Sequence, residues 1–376
     1  ANYTPRGSLL HLSEAVKEHV TVPVIAVGSI SPEMGEETLE KGHADFIAIG
    51  RQIIADPDYP KKVMAGKPET IRRCLRCNEC LGEVMKSKGI SCAVNPEAGK
   101  EYEEYTKVVS TSQPKKVAVI GSGPAGMQAT LTAVERGHDV TLFEKNERLG
   151  GLLYYVGLPD FKGDFRDYTN YLINAVKSCG AKIEMGVEVT ADIIREQNFD
   201  KVIVATGAKT FKPNIPGAED NTIYDPLKVL DGDIPEGENV IVCGAGLCGC
   251  EVGIFLAEEG KKVTLIDQLP EAAMDMPIYS RWVLNGKMAE LEMSVKTNHT
   301  INKMTGNEVQ CTHDGEEVTY NADAVVCALG LQSRRGLLDD LRENCHDIEI
   351  IPVGDINAPR KIIQAVHEGY HAARSI

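Results

Sequence analysis

Short apolar runs alternate with segments of helical periodicity along the first part of the chain. Continuously apolar strands separated by helices are typical of a parallel sheet. The first 72 residues therefore predict an α/β arrangement. Two strands cannot close a barrel, so we expect this region to be the last part of a larger domain. The predicted strands are 22–27 and 46–49, and the predicted helices are 9–20, 32–41 and 53–65, the last with a break near 56–57.

One βαβ unit occurs twice in the rest of the chain. Residues 117–145 align without gaps with residues 240–268, with ten identities over 29 positions. In each copy an apolar strand leads into a glycine-rich turn that opens a helix, which indicates an internal repeat. Charged, turn-rich strands follow the second copy to about residue 320. A final helix is predicted from about residue 360.

Each copy of the repeat carries a G-x-G-x-x-G pattern after its first strand. The first glycine permits a tight turn, the second lets the backbone approach a pyrophosphate, and the third lets helix and strand pack closely. The N-terminus of the helix supplies N–H donors and a partial positive charge. The two patterns therefore predict two dinucleotide sites. The glycines are Gly121, Gly123 and Gly126 in the first copy and Gly244, Gly246 and Gly249 in the second.

An acidic residue follows the middle glycine of each copy by 21 residues, Glu144 in the first and Asp267 in the second. At the end of the next strand, such an acid can accept hydrogen bonds from ribose hydroxyls. At the second site it favours NADH over NADPH, because a 2′-phosphate would meet a like charge.

Four cysteines form a C-x2-C-x2-C-x11-C array just upstream of the first glycine loop. Thiolates in such an array hold either an iron–sulfur cluster or a structural zinc ion, and the spacing alone permits both. The nucleotide-binding loop beside the array favours a cluster that relays electrons. The predicted ligands are Cys74, Cys77, Cys80 and Cys92.

Charge and composition narrow the classes of partner. The net charge of -15 would repel nucleic acid and anionic membrane surfaces. No apolar run approaches the length of a membrane span, and the N-terminus lacks the pattern of a signal peptide. We therefore expect a cytoplasmic protein that acts on a small molecule, with a homo-oligomer left open. Eleven cysteines in such a chain favour metal ligation and free thiols over disulfides.

Three further motifs accompany the glycine loops: A-T-G at 205–207, A-L-G at 328–330 and V-G-D at 353–355. Together they resemble the FAD/NAD(P)H pyridine-nucleotide reductase fold, in which a NAD domain is inserted into a FAD domain. The resemblance implies that the second loop binds NADH. It also implies contacts to FAD from Gly121, Gly123, Gly126, Glu144, Gly151 and Asp355. Pro124, Ala125, Thr206, Gly207, Gly330 and Gly354, which lie in the same motifs, are predicted cofactor-binding residues as well.

The first 72 residues resemble the C-terminal end of an old yellow enzyme type (β/α)8 barrel. The matching pieces are T-P-R-G at 4–7, P-V-I-A-V-G at 23–28, D-F-I-A-I-G-R at 45–51 and A-D-P at 55–57. The resemblance implies that Gly28, Ser29, Gly50 and Arg51 hold the phosphate of FMN. The family often has arginine at the position of Ser29, which weakens one contact here.

The whole order of motifs resembles the 2,4-dienoyl-CoA reductase, enoate reductase and trimethylamine dehydrogenase family. That resemblance implies a [4Fe–4S] cluster on the four cysteines. It also implies an electron path from NADH through FAD, the cluster and FMN to an activated C=C bond in a small molecule or CoA thioester. The family's proton donor is expected on earlier barrel strands outside this sequence, so no catalytic residue is assigned. Amine oxidation, and an NADH-oxidising electron-transfer module that serves a partner, remain alternatives.

The predicted domains follow from these motifs. They are the end of an FMN-binding barrel at 1–72, a cluster segment and linker at 73–112, a FAD-binding domain at 113–222 and 328–376, and an inserted NAD(H)-binding domain at 223–327. An H-E-x-x-H pattern at 367–371 fits a zinc site, but it lies at the end of the chain. The resemblance instead implies that this is the terminal helix of the FAD domain.

Overall fold

The computed structural model describes residues 2–103 and 107–376. Parallel strands and helices alternate through most of the chain, as the hydrophobic pattern predicts. The helices are α1 (Leu10–Lys17), α2 (Pro32–Glu40), α3 (Arg51–Ala55), α4 (Tyr59–Met64), α5 (Glu79–Met85), α6 (Pro124–Glu135), α7 (Leu152–Val156), α8 (Gly163–Ser178), α9 (Ala191–Glu196), α10 (Pro226–Leu230), α11 (Leu247–Glu258), α12 (Ile278–Glu290), α13 (Gly336–Asn344) and α14 (Ile362–Ser375).

The strands are β1 (Ile25–Ala26), β2 (Phe46–Ile47), β3 (Lys116–Ile120), β4 (Asp139–Glu144), β5 (Lys182–Met185), β6 (Lys201–Val204), β7 (Ala208–Thr210), β8 (Asn239–Cys243), β9 (Lys262–Ile266), β10 (Ser294–Lys296), β11 (Thr300–Met304), β12 (Glu308–His313), β13 (Glu316–Asn321), β14 (Ala324–Cys327), β15 (Leu331–Ser333) and β16 (Glu349–Pro352). Within the described ranges, none of the helices is long and apolar enough to cross a bilayer.

The first glycine loop belongs to a parallel sheet with the strand order β16-β6-β3-β4-β5. Its central strand β3 is almost fully buried because helices cover both faces of the sheet. On one face Met127, Leu172 and Ala373 come from α6, α8 and α14. On the other face, α9 and α13 contribute Ile194 and Leu338. The carboxyl ends of β3, β4 and β6 therefore meet at one edge, where open α/β sheets bind ligands.

The second loop belongs to a separate parallel sheet with the order β10-β9-β8-β14. Helices α11 and α12 pack on one face, and the antiparallel sheet β11-β12-β13 covers the other. An antiparallel ribbon pairs β7 with β15 and carries the chain into and out of this region. The N-terminal strands pair in parallel over Ile25↔Phe46 and Ala26↔Ile47 only, so both are shorter than predicted. Ile25 and Phe46 remain about 60% exposed (60% and 58%).

A buried charged cluster joins the N-terminal segment to both nucleotide-type sheets. Lys162, which precedes α8 and is 2% exposed, donates to the carboxylate of Glu251 on α11. The hydroxyl of Tyr3 donates to the same carboxylate at 2.6 Å. Asp164 likewise accepts from Arg6 and Arg76. These contacts link parts of the chain that are far apart in sequence.

Candidate functional site

The first glycine loop leaves open space at its middle glycine only. Gly121 has φ +103°, and a Cβ there would lie 2.4 Å from the Ala205 carbonyl oxygen. A Cβ on Gly126 would lie 1.8 Å from the Gly121 oxygen. At Gly123, the N-cap of α6, a Cβ would meet nothing within 4 Å. The outer glycines are therefore needed for packing, and the middle one leaves room for a ligand against the backbone.

The second loop repeats this geometry closely. Gly244 has φ +104°, and its Cβ would lie 2.5 Å from the Ala328 oxygen. The Cβ of Gly249 would lie 1.9 Å from the Gly244 oxygen, whereas at Gly246 there is again open space. The two copies of the repeat therefore build the same backbone site.

The acid at the end of the next strand also fixes each loop. Glu144 Oε2 accepts from the Ser122 backbone N–H at 3.0 Å and from its hydroxyl at 2.6 Å. Asp267 Oδ2 accepts from the Ala245 N–H at 2.6 Å. In both copies the carboxylate thus binds the residue between the first two glycines. The ribose contact remains a prediction, and the hydrogen bond to the loop is a second role that the sequence analysis missed.

A cavity of about 800 Å³ opens at the carboxyl edge of the first sheet. Basic side chains outnumber acidic ones along its wall, which suits a ligand that carries phosphates. The basic residues, which the sequence analysis missed, are Lys145, Arg148, Lys209, Arg334, Arg335, Arg360 and Lys361. The predicted residues that line it are Gly121, Gly123, Pro124, Ala125, Glu144, Gly151, Thr206, Gly207 and Asp355.

Three of the predicted FAD residues do not line this cavity. Gly126 packs against Gly121, as described above. Gly354 lies behind the cavity wall, where a Cβ would approach the Ala125 Cβ to 2.9 Å. Gly330 accepts a backbone hydrogen bond from Phe211 at 3.0 Å. Of the final pair, Asp355 alone faces the cavity, and burial raises the pKa of its carboxyl group.

The four predicted ligands line one small cavity, although Cys92 lies apart from the other three in sequence. Ile54, Leu75, Ala93 and Val94 supply apolar walls. Burial raises the pKa of the Cys77 thiol to about 12 and raises the pKa values of Cys74 and Cys92. Thiolates in so dry a site need compensating charge, which a metal centre provides.

Two hydrogen bonds at Cys74 stabilise the start of the cysteine turn. The Arg76 N–H donates to Cys74 Sγ at 3.4 Å. The Cys74 N–H donates to the side chain of Gln52 at 3.0 Å. Within the described ranges, no three or more His, Cys, Asp or Glu side chains are grouped so that they could hold a metal ion.

Two distant helices also contact the cysteine segment. The Ser280 hydroxyl on α12 donates to the Cys77 carbonyl at 3.2 Å. His367 Nε2 on α14 lies 2.8 Å from the Cys92 carbonyl oxygen. Glu368, the acid of the H-E-x-x-H pattern, accepts from the Gly354 N–H at 2.8 Å. His367 and Glu368 of this pattern are therefore engaged in hydrogen bonds within the fold, while residues at the N-terminal end of α14 line the large cavity.

The predicted phosphate loops follow two neighbouring parallel strands. Gly28 and Ser29, after β1, have φ +139° and +57°. Gly50, after β2, is the N-cap of α3 and has open space where its Cβ would lie. The guanidinium of Arg51, however, donates to Asn78 and lines the cysteine cavity. The backbone of these loops is brought to one edge, and the role of the four residues in binding FMN stays a prediction.

Comparison with known proteins identifies two families along the chain. Residues 115–356 match the family "Pyridine nucleotide-disulphide oxidoreductase". Residues 4–70 match the "NADH:flavin oxidoreductase / NADH oxidase family". An NADH oxidase from Thermoanaerobacter brockii is 37% identical over 99% of this chain and 58% of its own length. A cinnamate reductase from Clostridium sporogenes is 34% identical over 100% of this chain and 56% of its own length.

Solved structures give the same picture. The structure of a 2-naphthoyl-CoA reductase in complex with 2-naphthoyl-CoA matches 100% of this chain and 57% of that chain, with a TM-score of 0.94 and 30% identity. The chain thus spans somewhat more than half the length of these relatives. The α/β fold, with an end portion of an old yellow enzyme type barrel before two nucleotide-type domains, is confirmed. The chain belongs to the pyridine nucleotide-disulphide oxidoreductase family, joined to part of an NADH:flavin oxidoreductase domain.

Proposed function

We propose that the protein is an NADH-dependent oxidoreductase with FAD, a [4Fe–4S] cluster and FMN. It reduces an activated C=C bond of the enoate or 2,4-dienoyl-CoA type, and electrons pass from NADH through FAD, the cluster and FMN. The observation that carries the proposal is the arrangement of the cysteine cavity. Its wall includes Arg51, which follows the loop after β2. The Cys92 carbonyl also contacts His367 of α14, a helix whose first residues line the large cavity.

The large cavity fits FAD. The open space at Gly123 admits a pyrophosphate to the N-terminus of α6, where backbone N–H groups and the helix dipole stabilise its charge. Arg148, Arg360 and Lys361 add positive charge along the wall. In this site the chain's own groups bind and orient the dinucleotide and neutralise its phosphates.

The second loop fits NADH. Gly246 leaves the same open space at the N-terminus of α11. Asp267 places a negative charge at the end of β9, which selects against a 2′-phosphate. The shared geometry of the two loops supports the view that both bind dinucleotides.

We infer that the four cysteines hold a cluster and not a zinc ion. Each ligand of a [4Fe–4S] cluster binds its own iron, so the four sulfurs need not meet at one point. A tetrahedral zinc ion would require that they do. The four cysteines line one cavity beside a nucleotide-type fold, and this setting favours a centre that relays electrons.

The bound groups would supply hydride and single-electron chemistry, while the protein sets their positions and environments. Two relatives are a cinnamate reductase and a 2-naphthoyl-CoA reductase, which supports an unsaturated acid or CoA thioester as substrate. The FMN phosphate would bind where the loops after β1 and β2 meet, through the backbone of Gly28, Ser29, Gly50 and Arg51, since the Arg51 guanidinium is directed to Asn78.

The proposal is tested by NADH oxidation under anaerobic conditions with cinnamate and with α,β-unsaturated CoA thioesters as acceptors. The preparation should contain FAD, FMN and iron, and the acceptors should raise the rate of NADH oxidation. Stoichiometric FAD and iron without turnover of any such acceptor would contradict the ene-reductase assignment.

Amine oxidation is the second candidate. A 6-hydroxypseudooxynicotine amine oxidase structure matches 99% of this chain with a TM-score of 0.89 and 28% identity. Anaerobic addition of NADH separates the two reactions. Flavin bleaching by NADH supports the reductase, whereas bleaching by a secondary or tertiary amine and not by NADH supports the oxidase.

A further inference from the structure

Arg51 has a position that its predicted role does not explain. It follows Gly50 in the loop after β2, where the resemblance implies a phosphate contact. Its guanidinium instead donates to Asn78, and Arg51 forms part of the wall of the cysteine cavity. It is the only basic residue among the side chains that line this cavity in the described structure.

Asn78 holds the guanidinium there. Its Oδ1 accepts from Arg51, and its Nδ2 donates to Ser280 Oγ at 3.0 Å. Ser280 then donates to the carbonyl of Cys77, the residue before Asn78. Asn78 is 6% exposed and Ser280 is fully buried, so both bonds are shielded from water.

The backbone at Asn78 also favours this arrangement. Its φ of +64° lies in the left-handed region, which asparagine tolerates better than most residues. The side chain is thereby directed between α3 and α12. Both its acceptor and its donor are used, so the amide has one orientation only.

A positive charge at a buried redox centre favours the state with the extra electron. Charges interact strongly where solvent is excluded, and the walls of this cavity are apolar apart from Arg51, Asn78 and the thiols. Net charge near the centre is one of the factors that set the potential of an iron–sulfur cluster.

We propose that Arg51 is the charge that raises the reduction potential of the centre bound by the four cysteines. Asn78 is the positioning residue that keeps the Arg51 guanidinium at the cavity. This inference rests on the proposed cluster. It assigns a new role to Arg51, which was predicted at the FMN phosphate. It also assigns a role to Asn78, which belongs to none of the predicted sites.

The test is a redox titration of the protein purified without oxygen, followed by electron paramagnetic resonance and iron analysis. Arg51→Met removes the charge, and Asn78→Gly removes the amide but retains a residue suited to positive φ. Both should lower the midpoint potential by about 59 mV, which is a tenfold change in a one-electron equilibrium constant. Arg51→Lys, which keeps the charge, should recover part of the loss.

Two matched controls lie far from the cavity. Asn198→Gly makes the same substitution at an exposed asparagine with φ +53°. Arg195→Met removes an exposed arginine that pairs with Asp192. Neither should change the potential.

The outcomes separate this inference from the proposed function. Wild-type protein that lacks iron would refute both. A cluster whose potential is the same in wild type, Arg51→Met and Asn78→Gly, at equal iron content, would refute only the role of these two residues. An equal fall in the Asn198→Gly and Arg195→Met controls would also refute it.

Discussion

Replacing Gly123 with alanine should weaken FAD binding by at least about a hundredfold and leave the fold intact. The backbone there has φ −68° and ψ 179°, which alanine adopts without strain, and a Cβ would meet no protein atom within 4 Å. Alanine is a poorer N-cap than glycine, which destabilises the fold. It also reduces the conformational freedom of the unfolded chain, which stabilises the fold by about 0.4–1 kcal/mol. These effects oppose each other, so the free energy of unfolding should change by less than about 1 kcal/mol.

The substitution instead reduces the free energy of FAD binding. The methyl group would occupy the space through which a pyrophosphate reaches the backbone N–H groups of α6. Hydrogen bonds to charged groups contribute about 1.5–3 kcal/mol each. Losing two of them costs about 3–6 kcal/mol, and roughly 10²- to 10⁴-fold in affinity at 1.4 kcal/mol per tenfold.

Gly246→Ala is the matched control, because Gly246 has φ −67° and ψ 179° and the same open space. It should weaken NADH binding and leave FAD content unchanged. Flavin absorbance after purification and titration of the flavin-free protein with FAD measure affinity, and urea unfolding followed by circular dichroism measures stability. Wild-type FAD affinity in Gly123→Ala would refute the assignment of this loop, and unfolding of that variant would refute the claim of open space.

Lys162→Met should lower the free energy of unfolding in urea by about 3–5 kcal/mol, because it leaves Glu251 charged and buried. A double variant that also carries Glu251→Leu should be destabilised less than Lys162→Met alone. A double variant that is less stable than the single one would contradict this reasoning. Burial and nearby positive charges lower the pKa of His138, whose Nδ1 accepts a backbone hydrogen bond at 3.1 Å. The folded state therefore binds this proton less readily than the unfolded state, and stability should fall as the pH drops below about 6.5. His138→Asn should flatten that part of the curve of urea midpoint against pH, and an unchanged slope would exclude His138 as a cause. Asp267→Asn keeps an acceptor for the Ala245 N–H but loses the negative charge. The ratio of kcat/KM for NADPH to that for NADH should therefore rise by about tenfold, since like charges about 4 Å apart repel by about 1–4 kcal/mol. An unchanged ratio in steady-state assays would argue against the placement of the 2′-phosphate near Asp267.

Local patterns predicted the repeated units well because the third glycine of each loop packs against the first within one βαβ unit, although the first glycines also approach Ala205 and Ala328 outside it. The outer glycines are required by backbone approaches of 1.8–2.5 Å that recur in both copies. The lengths of β1 and β2 were predicted less well. Apolar composition indicates a strand, but pairing partners decide where the ladder begins and ends, and only two residue pairs form here.

The environment of the cysteines could not be read from spacing. Arg51 and Asn78 are 27 residues apart, and Asn78 and Ser280 are 202 apart. No periodicity connects such residues, since their meeting depends on how whole domains pack. For the same reason, the basic residues along the large cavity come from several separate segments and left no local signal in the sequence.

The contacts around the cysteine turn also limit how early during synthesis this segment can reach its final folded form. His367, which contacts the Cys92 carbonyl, lies 275 residues after Cys92 in the sequence. At a synthesis rate of about 5–20 residues per second, roughly 14–55 s pass between the appearance of one and the other on the ribosome. During that interval the cysteine segment lacks α14, and for most of it the segment also lacks α12. For the proposed cluster, delivery of iron and sulfide would therefore be easiest before α14 is made, and docking of α12 and α14 would then fix the cysteine segment in place.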